Sequence, residues 1–145
     1  MRFYRLKESV KAGVCVVFAI GLVAVFWLIG KFQLPTGESQ GEYYLYSASS
    51  NAQIKESVSY AEVFSVVGES KGYSVENADE FVSATLKTMQ AEVLFFEEVG
   101  GVKSYYCYSP RIGGTTVLYG EPINLHIAVK GGSVKIGSPV IFGGY

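Results

Sequence analysis

The sequence predicts an α+β protein: an N-terminal transmembrane helix followed by an antiparallel sheet with one main helix packed on one face. Three observations carry that expectation. An uncharged apolar run of nineteen residues stands near the N-terminus, one capped amphipathic helix lies mid-chain, and two Gly-Gly turns each separate a pair of β-forming segments. With 145 residues the chain has room for one ordinary core besides the apolar run.

The run is "AGVCVVFAIGLVAVFWLIG", residues 12–30. At 1.5 Å per residue it reaches roughly 28 Å as a helix, about the thickness of a bilayer's hydrocarbon core. Arg2, Arg5, Lys7 and Lys11 precede it against only Glu8, so residues 1–11 read as a cytoplasmic basic tail and the C-terminal part is placed outside the cell membrane. Phe3 and Tyr4 at one end, and Phe26 and Trp27 at the other, suit the two interfacial belts. A cleaved signal peptide is the rival reading, but the run exceeds the usual apolar length and its exit "FWLIGKFQLPTGESQ" offers no small-x-small cleavage site. Residues 31–42, with Pro, Gly, Ser and Thr and no apolar period, read as a linker.

The extracytoplasmic domain is expected over residues 43–145. Its first segments, "YYLYSASSNAQIK" (43–55) and "SVSYAEVFSVVGE" (57–69), are rich in β-formers and read as strands, with a helix over 59–67 as the alternative for the second. "GESKGYS" (68–74) has the composition of a turn. Asn77 to Gln90 is the clearest helix: Asn77 can cap its first turn with Glu80 three residues on, and Ala78, Phe81, Val82, Thr85, Leu86 and Met89 share one face. In "AEVLFFEEVGGVKSYYCYS" (91–109), Gly100-Gly101 makes a tight hairpin turn. The resulting register opposes Val99 to Val102, Glu98 to Lys103, Phe96 to Tyr105, Phe95 to Tyr106, Leu94 to Cys107 and Val93 to Tyr108. A second hairpin over 122–142 turns at Gly131-Gly132, with Ile123, Leu125, Ile127 and Val129 on one face and His126 on the other.

The first hairpin is apolar on both sides, and one helix covers only one of them. Its other side must be covered by another element or a partner, or be left open for binding. Leu94, Phe96, Tyr105 and Cys107, together with His126, are therefore the candidate interaction surface. The partner classes left open are a protein or other envelope component and a second copy of the chain, with the membrane engaged through residues 12–30.

Charge excludes one class. From Phe32 onward seven Lys and Arg stand against twelve Asp and Glu, a balance of −5, so the basic stripe that binds nucleic acid is missing. No catalytic signature, metal-ligand spacing or cofactor-binding loop occurs, and the residues weigh against an enzyme. The alternative function is an envelope enzyme or small-ligand binder in which His126, the only histidine, works with Cys107 or a nearby Glu. Against it, a lone strand histidine is ordinarily a half-exposed structural residue. Cys15 in the apolar run and Cys107 in a strand cannot come within the roughly 4.4–6.8 Å that a disulfide requires.

The stretch "NLHIAVKGGSVKIGSPVIFGGY" joins an Asn-Leu-x-Ile-Ala strand, a glycine turn, a Val-x-Ile-Gly-Ser-Pro-x-Ile strand and a terminal Tyr. It resembles the C-terminus of the YwmB-like family of Gram-positive bacteria, over roughly the last 23 residues of this chain. The resemblance implies a fold similar to the TATA-binding protein, a curved antiparallel sheet with helix on one face. It transfers no catalytic residue, and fold likeness does not carry function. The outer domain is smaller than is typical of that family, which suits a single repeat or reduced form whose open sheet face a second copy can complete.

Overall fold

The computed structural model describes residues 13–25 and 40–143. The chain divides into two units, residues 1–31 and 32–145. In the first, helix α1 spans 13–25 and its apolar side chains, among them Val17, Phe18 and Val23, are exposed. No helix among the described residues is long and apolar enough to cross a membrane. Residue 12 and residues 26–30 of the predicted span lie outside the described residues, as do the basic tail 1–11 and residues 31–39 of the linker.

The second unit is α+β, a seven-stranded antiparallel sheet with one helix on it. Its strands are β1 (Gln40–Leu45), β2 (Gln53–Lys55), β3 (Val66–Ser74), β4 (Glu92–Val99), β5 (Val102–Tyr108), β8 (Leu125–Lys130) and β9 (Ser133–Ser138), in the order β2-β1-β3-β9-β8-β5-β4. A separate two-stranded hairpin joins β6 (Thr116–Leu118) to β7 (Glu121–Ile123). Helix α2, Ala78–Met89, crosses from β3 to the far edge strand β4. The last hairpin, β8–β9, is thereby inserted at the centre of the sheet, between β3 and β5.

Helix α2 begins where the sequence places it. The Asn77 side chain accepts the Glu80 N–H at 3.2 Å, and Gln90 closes the helix in the left-handed conformation with φ 51°. Val82 and Met89 pack onto Cys107, Leu125, Ile127, Val129, Val134 and Ile136, one face of the central strands. That face is the main core. It carries alternate residues of β8 and β9, because Ile127 pairs with Ile136 and Val129 with Val134.

Five expectations need correction. Residues 40–42 of the expected linker belong to β1, where Gln40 pairs with Gly72. Residues 43–55 form two strands with a turn between them. Residues 57–65 are a turn and a short 3-10 helix (Val63–Ser65), and the strand there is β3, which runs through the 68–74 stretch whose composition suggested a turn. The cause is close packing: a Cβ on Gly68 would stand 2.5 Å from the Ser138 carbonyl oxygen, so a glycine inside this strand marks a near approach of backbone. In the first hairpin the register holds from Val99/Val102 to Phe95/Tyr106 and then slips, because Leu94 is an extra, bulged residue. Beyond the bulge Val93 faces Cys107 and Glu92 faces Tyr108.

Candidate functional site

One row of residues crosses the sheet face opposite α2. Phe95 pairs with Tyr106, Tyr106 with His126, His126 with Gly137, and Gly137 with Ser70. The rings stack across the strands: Phe95 on Tyr106 at 4.6 Å between centroids, and Tyr106 on His126 at 4.4 Å. Tyr119, at the β6–β7 turn, meets Phe95 edge-on at 5.6 Å.

At Gly137 the row has no side chain, and the C-terminal segment fills the space. After Ser138 the chain folds back, and Ile141 lies so close that a Cβ on Gly137 would stand 2.6 Å from its Cγ1. The Ile141 N–H donates to His126 Nδ1 at 3.2 Å, and the Phe142 N–H donates to the Tyr44 hydroxyl at 3.2 Å. The Phe142 ring meets Tyr44 edge-on at 5.2 Å. Tyr44 in turn donates to Ser70, and Ser70 to Glu42, whose carboxylate pairs with Lys135 at 2.8 Å. Residues 139–143 thus form a strap over the middle of this face.

The strap corrects the expectation for His126. The residue is 2% exposed, buried under the strap and against Tyr106. Burial pushes its pKa down to about 4, so at neutral pH the imidazole is uncharged and Nδ1 is an acceptor, as the hydrogen bond from Ile141 requires.

Cys107 is fully buried on the opposite face, under α2, where loss of water pushes its thiol up to about 12. Cys107 and His126 belong to opposite sides of the sheet, so they form no nucleophile and base pair. Among the described residues no group of three His, Cys, Asp or Glu is placed to hold a metal ion.

The surface is elsewhere. Of the five sequence candidates, Cys107 and His126 are buried, Leu94 and Tyr105 half-buried, and Phe96 is 68% exposed. The reason lies in the reach of α2: its core contacts run across β9, β8 and β5, and no β4 residue joins that cluster. Strand β4 is one of the sheet's two outer strands, paired only with β5 among the described residues. Near its turn Val99 is 74% exposed. The same strand carries Glu92, Glu97 and Glu98 and no basic residue; Glu98 faces Lys103, and Glu97 accepts the Tyr106 hydroxyl at 3.4 Å.

A second apolar surface escaped the sequence reading. Tyr60 and Phe64 are 97% and 95% exposed in the turn and short 3-10 helix before β3, where a richness in β-formers had suggested a strand. The turn is tied to β2 by a Lys55–Glu62 ion pair, and Glu62 also accepts the Ser59 hydroxyl and backbone N–H. The Lys55 ammonium, then the Ser59 donors, hold the Glu62 carboxyl down to about 2.

Compared with family models, curated proteins and solved structures, the chain matches none of them.

Proposed function

We propose that the protein is a membrane-anchored, extracytoplasmic interaction module of the bacterial envelope, which binds a protein or envelope component along strand β4. The observation that carries this reading is the exposure of Phe96 and Val99 on an outer strand that the chain's own helix does not reach. Membrane attachment is supported by the nineteen-residue apolar run, and the orientation by the four basic residues, Arg2, Arg5, Lys7 and Lys11, that precede it. The competing use of His126 and Cys107 in an enzyme or small-ligand site draws no support from their burial on opposite faces.

Photocross-linking in cells tests the reading. A photoreactive residue at Phe96 of the full chain should give a discrete adduct, and one at Ser83, exposed on α2, should give none. An adduct with a second copy would make the module a homodimer. Equal adducts at both sites, or none at Phe96, would end the proposal.

A further inference from the structure

The chemistry of the β4 edge says more about what it receives. An outer strand presents a row of backbone N–H and C=O groups ready to pair with another chain, and proteins ordinarily blunt such edges with lysines, prolines or short strands. Strand β4 has eight residues, no proline and no lysine. Its bulge at Leu94 interrupts the first part of the edge and leaves Phe95–Val99 regular. No backbone hydrogen bond outside the pairing with β5 engages β4 among the described residues.

Side chains along that regular stretch form a pattern. Because successive residues alternate in face, Phe96 and Glu98 lie on the α2 side, and Phe95, Glu97 and Val99 on the other. Each face of the edge therefore offers an apolar side chain next to a carboxylate. On the far side, Tyr119 stands against Phe95 and walls that position.

Resting on the interaction-module reading, we infer that β4 accepts an extended, lysine- or arginine-bearing segment of a partner protein as an eighth, antiparallel strand. Backbone pairing to residues 95–99 supplies the hold, and the adjacent carboxylates supply the selection. Read from its N-terminus, the added segment is apolar opposite Val99, basic opposite Glu98 and Glu97, and apolar opposite Phe96 and Phe95. Cross-strand opposite charges and aromatic–aliphatic pairs are the favourable neighbours in an antiparallel pair. A second copy fits this edge poorly: two β4 strands side by side bring six carboxylates together and contribute no cation of their own.

The test uses the full chain in detergent micelles and a dye-labelled synthetic peptide, Thr-Val-Lys-Lys-Val-Val-Thr. Saturable binding is expected, weakened by salt, with amide protection appearing at residues 95–99 in hydrogen exchange. Replacing both peptide lysines by glutamate should weaken binding at least ten-fold, as should the paired substitutions Glu97→Gln and Glu98→Gln, which preserve shape. N-methylation of every central peptide amide should abolish it.

Undiminished binding of the N-methylated peptide would refute strand addition while leaving the cross-linking result at Phe96 to stand by itself. Equal binding of the glutamate peptide would refute the charge selection. Binding to phospholipid vesicles in place of the lysine peptide, lost on Phe96→Lys, would overturn the inference in favour of a lipid surface. Concentration-dependent self-association that masks residues 95–99 would overturn it in favour of a second copy.

Discussion

Asn124 sits where three backbone groups converge. Its Oδ1 accepts the Ser109 N–H at 2.7 Å, and its Nδ2 donates to the carbonyls of Ser109 at 2.7 Å and Ile112 at 2.9 Å. Ser109 and Arg111 add hydrogen bonds to the last carbonyls of α2, at Met89 and Thr88. This buried knot holds the end of α2, the loop after β5 and the entrance to β8 in one place. Asn124→Ala leaves three buried backbone groups without that partner and should cost about 3 kcal/mol, since each lost partner strands a desolvated group. Asn124→Asp, which keeps the acceptor but sets a carboxylate against two carbonyls, should cost at least as much. Chemical denaturation of the full chain measures both, and a loss below about 1 kcal/mol for the alanine variant would show that loop 109–112 is held by other means. In the sequence, Asn124 reads only as a polar residue on the face of His126. Its partners lie 12 and 15 residues away, and no local pattern announces them.

At the scale of elements, the parts of the fold set by local chemistry were legible and those set by distant contacts were not. The Asn77 cap and the apolar stripe of α2 are local, as are the glycine turns, where Gly100 and Gly101 take φ of 60° and 77°. By contrast, Gly68 and Gly137 look like breakers until the strap that packs against them is known. The β6–β7 hairpin turns at Tyr119-Gly120, with the tyrosine itself at positive φ, a conformation its residue type does not advertise. Near the turn of the first hairpin the expected opposition of Phe96 to Tyr105 and of Phe95 to Tyr106 is the one observed, and Phe96 is one of the five residues the sequence named for the candidate surface. The sequence reading missed the burial of His126 because the second hairpin was expected to run to residue 142, whereas β9 ends at Ser138 and the chain after it folds back over the imidazole.

The strap makes a measurable prediction, because His126 is the only histidine and its imidazole signal needs no assignment. In the full chain it should titrate near 4, and in a chain ending at Ser138 it should move toward 6.5, its ordinary value. The sign for stability follows. Above pH 6.5 the imidazole is neutral in both folded and unfolded states; as pH falls from 6.5 to about 4, only the unfolded chain takes up the proton, and stability declines. At about 1.4 kcal/mol per pH unit the decline reaches about 3 kcal/mol and is complete near pH 4. Titration of the intact chain near 6.5 would mean that the strap does not cover the imidazole.

For the whole molecule, the arrangement of charge decides what the rest is worth. Residues 1–11 carry four basic groups against one acidic, while the chain from Phe32 carries the acidic balance. On the proposed placement, the basic residues of the short tail keep it on the cytoplasmic side of the apolar run. The consequence is testable at Ser83, exposed on α2, in the Ser83→Cys chain with Cys15→Ala removing the other accessible thiol. Cys107 can stay, since burial makes it inert to an aqueous maleimide. A membrane-impermeant maleimide should label Ser83→Cys in intact cells and fail to label Cys107 alone. Replacing Arg2, Arg5, Lys7 and Lys11 by glutamine should lower the labelled fraction, because the orientation then loses its bias. Labelling that appears only after lysis, or protein that fractionates away from membranes, would place β4 where no envelope partner can reach it.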